Sequence, residues 1–353
     1  MSADIVLAPA QQGVRQTWID QARWAAIILV VVGHGVGMLR AESGLALVVS
    51  NFVYMFHIPV LILLAGWGAR RAQADGKTLS KVFWQLLVPY GIFQLIAFLT
   101  NYVLDGDQPS WKFTSQTFGL WFLVALAGWR LLAPWFRGLR FAVPIAVVVA
   151  LLAGLSPAID GFLSLSRILV FLPIFLAGPW IVDRVSEWRQ DWRLRAAGAA
   201  VVGLGAVAAL WLKKDFWRPP FLGNKGYEAL DGGDFEGMLW RLVVLAVGTA
   251  MATGFMLMLP GRVGAPTRMG AWTARAGQHT MYPYLLHLPL LTVVGASSLL
   301  DAGSPTVRAL LVIGAAVLFS ALAVSRPVVL LIRPLVDPRG AWNALSSFKS
   351  GQR

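Results

Sequence analysis

Cysteine is absent from the 353-residue chain. That excludes a disulfide framework, a thiolate nucleophile and a thiolate metal site. Charge is scarce as well: 13% of the residues are Asp, Glu, Lys or Arg, against about 25% in soluble domains. A soluble chain of this length would divide into two domains and need a polar skin for each. Also missing are a Gly-rich phosphate loop, a G-x-S-x-G elbow and the alternating strands of a membrane barrel. These gaps exclude a soluble globular enzyme, a disordered tail protein and a disulfide-rich secreted scaffold.

What fills the chain is apolar: 57% of residues are hydrophobic, and the mean hydropathy is +0.66. The apolar residues lie in blocks of roughly 20, the length that crosses a bilayer as a helix, and a helix satisfies its own backbone hydrogen bonds in lipid. The expected fold class is therefore all-α integral membrane, with about ten transmembrane helices near 18–39, 46–68, 83–104, 118–136, 141–157, 162–182, 195–212, 238–259, 279–299 and 306–332. The first block reads as an uncleaved span, because no small-x-small site follows it and Asp20 and Arg23 stand near its start.

The net charge is +13, a value that nucleic-acid binders share. Here the basic residues sit singly between apolar runs, so the charge reads as loop orientation and no nucleic-acid partner is expected. With the N-terminus in the cytoplasm, 21 of the 30 basic residues fall on the inner side and nine on the outer. That split predicts both termini cytoplasmic, with a tail at 1–14, a transmembrane domain at 15–335 and a second tail at 336–353. The longest polar stretch, 213–237, then faces outward. It reads either as a connector or as a lid over an acceptor site.

Of four histidines, three fall within spans, where an ionisable group is costly and is a functional candidate by default. Arg23 and His34 are eleven residues apart, which is three helical turns and about 16 Å of rise, so they project from nearly the same face. Asp20 lies one turn before Arg23, within ion-pair reach. A purely structural account also fits: Asp20 and Arg23 anchor the interface, and His34 bonds a neighbouring helix. His57 precedes Pro59, so it either caps a carbonyl freed by the proline or belongs to a site. His287, two residues before Pro289, is either a packing histidine or a third site residue. Neutral imidazole suits general-base work near pH 7. The histidines form no local i, i+4 ligand pair and lack acidic ligands at depth, so no metal site is expected.

Several segments in order resemble the acyltransferase-3 family of membrane acyltransferases. RQTWIDQARWAAIILVVVGHGVGM at 15–38 resembles its opening, with Asp and Arg ahead of the span and His beyond them. YMFHIPVLILLAGWGARR at 54–71, KVFWQLLVPYGIFQ at 81–94, LWFLVALAGWR at 120–130, FLPIFLAG at 171–178 and GQHTMYPYLLHLPLL at 277–291 are similar to successive family signatures. The nearest flavour is the fucose 4-O-acetylase-like branch. Ala65-Gly66-Trp67 stands where the family has Ser-Gly-Tyr, and Thr280 where Ser is common, so no role is carried over for those serines. The chain is also expected to lack the fused esterase-like domain of some relatives.

The resemblance implies transfer of an acyl group, usually acetyl, from cytoplasmic acyl-CoA to a hydroxyl of an exported glycan or its lipid-linked precursor. It implies a multi-pass protein of the inner (plasma) membrane that uses acetyl-CoA as co-substrate and holds no tightly bound cofactor. By this resemblance Arg23 and His34 are the main catalytic pair, joined by His57 and His287. Asp20, Trp121 and Tyr284 are carried as substrate-binding residues, and Arg70, Arg71 and Lys77 as the basic loop that meets the donor phosphates. The alternative is a transporter or flippase with the histidines as a proton relay and helices broken at Pro59, Pro89, Pro173 and Pro289. A third reading is a non-catalytic assembly partner of glycan machinery.

Overall fold

The structure is a computed structural model that describes residues 17–105, 116–117, 119–156, 159, 162–212, 219–229, 233–259, 267–301 and 303–341. The expected tail 1–14, most of the expected tail 336–353 and much of the 213–237 stretch lie outside the described residues. Within them the chain is helical, and each of the ten expected apolar segments holds helix. They run α1 (Thr17–Gly37), α2 (Gly44–Tyr54), α3 (His57–Gly68), α4 (Gly76–Val82), α5 (Val88–Asp105), α6 (Trp121–Arg137), α7 (Ala142–Leu152) and α8 (Leu165–Trp188). There follow α9 (Trp192–Leu212), α10 (Pro219–Leu222), α11 (Gly233–Met258), α12 (Arg268–Ala276), α13 (Met281–Gly295), α14 (Pro305–Ala323) and α15 (Arg326–Val336).

Among the described residues, seven helical stretches are long and apolar enough to cross a bilayer. α7 and α13, at 11 and 15 residues, are shorter than the ~20 residues a full crossing takes. The segment expected as one span at 306–332 is two helices. α14 stops at Ala323, and Arg326-Pro327 opens α15, because proline suits the first turn of a helix and not its interior.

The 46–68 segment is also interrupted, with α2 and α3 separated at Met55-Phe56. Pro59 has no N–H to offer one turn back, and Phe56 leaves helical geometry at φ −146°, ψ −14°. The Phe56 N–H bonds to the Val53 carbonyl at 3.2 Å, and the His57 ring also reaches that carbonyl, with Nδ1 at 2.7 Å. The imidazole thus helps satisfy a backbone group at a helix break. Ahead of Pro89, a π-helical turn at Phe83–Leu87 joins α4 to α5, with the Val88 N–H bonded to the Phe83 carbonyl.

α1 sits at the centre, packed by α2, α3, α12, α13 and α14, and 67% of its apolar window is buried. In α9 and α14 the shares are 17% and 22%, so those two form the lipid-facing periphery. Trp192 and Trp211 are strongly exposed near the two ends of α9. Nineteen helical steps separate them by about 29 Å, matching the hydrocarbon thickness, and tryptophans favour both interfaces. α3 and α8 pack backbone to backbone. A Cβ on Gly66 would fall on the Phe175 carbonyl, and one on Gly178 on the Leu63 carbonyl, the small-residue contact by which helices associate in lipid.

Candidate functional site

The site begins with two helices that meet. Near its C-terminal end, α1 carries His34, and α13 brings His287 against it, with His34 Nδ1 and His287 Nε2 2.9 Å apart. On its other side the His287 Nδ1 bonds to the Pro283 carbonyl, one turn back, at 3.0 Å. A carbonyl accepts and cannot donate, so His287 carries its proton on Nδ1. In the neutral ring its Nε2 is then the acceptor, and the His34 Nδ1–H donates to it. That order leaves Nε2 as the basic nitrogen of His34.

His287 is fully buried, whereas His34 lines a cavity of about 120 Å³. The break between α2 and α3 delivers Tyr54 and His57 to the same wall. Their ring centroids are 4.9 Å apart, and the His57 ring lies edge-on to His34 at 6.3 Å. With Nδ1 committed to Val53, His57 also keeps Nε2 as its acceptor nitrogen.

The facing wall comes from the starts of α6 and α8. Trp121 stacks on Phe171 with centroids 6.4 Å apart and planes 30° apart. The Arg167 guanidinium lies over the Trp121 ring, its Cζ 4.5 Å from the centroid. Arg167 Nε donates to the Leu222 carbonyl at 3.0 Å, and Ser166 Oγ donates to the Gly223 carbonyl at 2.8 Å. The Tyr284 hydroxyl donates to the Gly119 carbonyl at 2.5 Å, tying α13 to the entrance of α6. Gly119 has φ +86°, and a Cβ there would strike Leu288, so glycine is required at this turn.

The described part of the 213–237 stretch is fastened over this end. Phe221 and Leu222 line the cavity. Further along, the Tyr227 hydroxyl donates to the Leu151 carbonyl at 2.7 Å. Arg241 lies over the Tyr227 ring at 4.6 Å and donates to the Ala150 carbonyl at 2.8 Å. Phe221 and Leu222 thus stand at the edge of the cavity, a position compatible with either reading of this stretch.

The other end of the helices is basic. Arg23 pairs with buried Asp20 at 3.1 Å, and its guanidinium lies beside Gly68. Arg70 lies over Trp67, 3.6 Å from the ring centroid, and Trp67 Nε1 donates to Asp183 at 2.7 Å. Arg137 holds the turn after α3 through the carbonyls of Ala69, Arg70 and Ala72 at 2.6, 2.9 and 3.0 Å. Burial lowers the Arg189 guanidinium to about 10, where it lies over Trp18; it stays cationic at neutral pH.

Of the expected site residues, the structure brings together His34, His57, His287, Trp121 and Tyr284. It leaves Arg23 about three turns and Asp20 about four turns below His34 on α1. Arg71 and Lys77 are exposed and Arg70 is laid on Trp67. Tyr54, Gln116, Arg167 and Phe221 line the cavity without having been singled out from sequence. Arg167 carried a signal: it is a lone cation inside an apolar segment. Tyr54 stands one turn before His57.

A family model described as an acyltransferase domain matches residues 16–325. Neither curated proteins nor solved structures give a match.

Proposed function

The chain belongs to the acyltransferase-3 family, a multi-pass membrane acyltransferase family, and from that premise we propose that it moves an acyl group from acyl-CoA to a glycan hydroxyl. The acyl group is acetyl, and the acceptor is a cell-surface or exported glycan or its lipid-linked precursor. The observation that carries this reading is the His34–His287 pair at the wall of a cavity that also offers an aromatic platform.

His34 Nε2 takes the proton of the acceptor hydroxyl as its oxygen attacks the thioester carbonyl. The carbon–sulfur bond then breaks, the ester remains on the acceptor, and the departing thiolate recovers the proton from His34. His287 does not line the cavity; it acts through His34. By accepting the His34 Nδ1–H bond it fixes the tautomer and supports the imidazolium that forms. Trp121 and Phe171 offer a flat apolar face for a sugar ring. Arg23, about 16 Å down the same helix, meets the donor from the basic end, and the long flexible arm of coenzyme A brings the thioester up to His34.

The proton-relay alternative finds less support. The imidazole chain ends on the Pro283 carbonyl, which passes no proton onward. The test is ester formation with acetyl-CoA by wild type, His34→Ala, His57→Ala and His287→Ala at equal membrane abundance. His34→Ala is expected to lose roughly 10²–10⁴-fold in kcat. Near-normal activity in that variant would remove the proposed base.

In this reading the basic end is cytoplasmic and both termini lie inside, with about ten crossings in the inner membrane. Reporter fusions after Gly76 and Gln190 should read cytoplasmic, and one at Asn224 external. The reverse pattern would exchange the donor and acceptor sides.

A further inference from the structure

The basic end holds one cation that the protein does not engage. Arg130 lies inside α6, two turns before its last residue, Arg137. Seven residues make nearly two full turns, so the two arginines project from nearly the same face of the helix. Arg137 shows where that face looks, because its guanidinium binds the carbonyls of Ala69, Arg70 and Ala72. Gly68, the last residue of α3, stands at the head of that turn with Arg23 Nη2 beside it. The guanidiniums of α1 and α6 thus approach one corner of the bundle, and the Arg23 charge acts on Arg130.

Their partners differ. Arg23 pairs with Asp20, and Arg137 holds three carbonyls. Among the described residues the Arg130 side chain has no hydrogen-bond or ion-pair partner, and none of its nitrogens is sealed from water. A half-buried guanidinium within a span, with a like charge beside it, favours a ligand that brings negative charge. A phosphate has oxygens enough to meet two guanidiniums at once.

Distance selects the phosphate. Arg23 is eleven residues from His34, about 16 Å along α1. In coenzyme A about thirteen bonds run from the sulfur to the phosphate at the head of the pantetheine arm, and at roughly 1.2 Å of advance per bond an extended arm covers about 16 Å. The ribose phosphate lies farther off, beyond the nucleoside. We propose that Arg130 is a donor-binding residue that, with Arg23, grips the phosphate at the head of the pantetheine arm and so sets the thioester at His34. This rests on the acyl-CoA reading above and sharpens it: the donor is measured from its innermost phosphate.

The test is calorimetric binding to the full chain in lipid nanodiscs. The probes are coenzyme A, dephospho-coenzyme A, phosphopantetheine and pantetheine. The last pair differs only in the phosphate at issue, the first pair only in the ribose phosphate. Wild type is expected to bind phosphopantetheine more tightly than pantetheine by roughly tenfold or more, the size of one charge-assisted bond. Arg130→Gln is expected to cut that ratio by roughly fivefold or more, while the pantetheine Kd and the ratio within the first pair stay within about threefold. Arg130→Lys should fall between, since it keeps the charge and loses the fork.

Arg140→Gln removes an exposed cation just beyond the end of α6 and controls for summed charge; it should keep the ratio. An intact ratio in Arg130→Gln overturns the proposal. So does a loss that pantetheine shares equally, which would make Arg130 a structural residue, and so does a matching loss in Arg140→Gln. Arg130→Lys carries the same comparison if the Gln variant fails to insert, and an undiminished ratio there overturns the assignment. If wild type binds coenzyme A but does not distinguish phosphopantetheine from pantetheine, this assignment alone fails. If wild type binds none of the probes, the acyl-CoA reading fails and this inference with it.

Discussion

The two ends of α1 are built from the same kinds of residue and work differently. At the His34 end, imidazoles, one guanidinium and aromatic rings converge on an enclosed volume from α1, α2, α3, α6, α8 and α13. At the Arg23 end, more cations are present, but the arginines spend much of their capacity on the protein. Arg137 ties three backbone carbonyls, Arg70 covers Trp67, and Arg23 pairs with Asp20. Under the proposed function, charge density alone would therefore mark the wrong end as the chemical one. Reacting groups need a shared, water-poor volume, whereas cations at an interface are already served by solvent and helix termini.

The largest expected effect separates the ends kinetically. Where His34→Ala takes its loss in kcat, Arg23→Ala should take its loss mainly in the donor KM, by about ten- to hundredfold, as for a charge-assisted bond to phosphate. Arg23→Lys should recover part of it. Because removing Arg23 also takes an ion-pair partner from the buried Asp20 carboxylate, the same change is made on an Asp20→Asn background. If that double variant regains wild-type donor KM, Arg23 is a structural partner and the comparison loses its donor side.

A middle-sized effect should strike both ends together. Gly66→Leu forces α3 and α8 apart where their backbones touch, at a cost of about 1–3 kcal/mol typical of overpacking. Both KM values and kcat should worsen, with a lower Tm in detergent. A change confined to one end would mean the ends are not coupled through this contact.

The smallest effect belongs to the surface of the Arg23 end. The Asp75 side chain caps α4 by accepting the Thr78 N–H at 2.8 Å. The Thr78 backbone bond leads the causes that hold its carboxyl below the ordinary value. A depressed carboxyl stabilises the fold above its unfolded pKa and loses that contribution as pH falls through the folded one. Asp75→Ala should therefore lower Tm slightly at pH 7, with the deficit narrowing in acid and transfer activity unchanged. A deficit independent of pH would show that the cap acts without its charge.

How much was legible beforehand differs residue by residue. The Asp20–Arg23 pair followed from spacing along one helix, and the structure holds it. His57 left two readings, a cap on a carbonyl freed by Pro59 or a site residue; its Nδ1 engages the Val53 carbonyl and not the Met55 carbonyl four residues before the proline, and the residue lines the cavity. The pairing of His34 with His287 was not readable, since 253 residues separate them and no local periodicity reports a contact between distant helices. Arg167 was counted only for topology, although a lone cation inside an apolar segment is itself a signal of a polar cavity.

The sequence by itself determined the class: apolar blocks of span length, too little charge for a soluble skin, and the helix termini and breaks written by proline. These are local matters of hydrogen bonding and transfer from water, and each is settled within a few turns of chain. Only the tertiary structure decided which polar groups share a volume. It drew His287 behind His34 and set Arg167 on Trp121 under the 219–222 segment. Those outcomes depend on which helix faces meet, and that is fixed by packing among backbones brought close at Gly66 and Gly178, far from the residues whose chemistry it arranges.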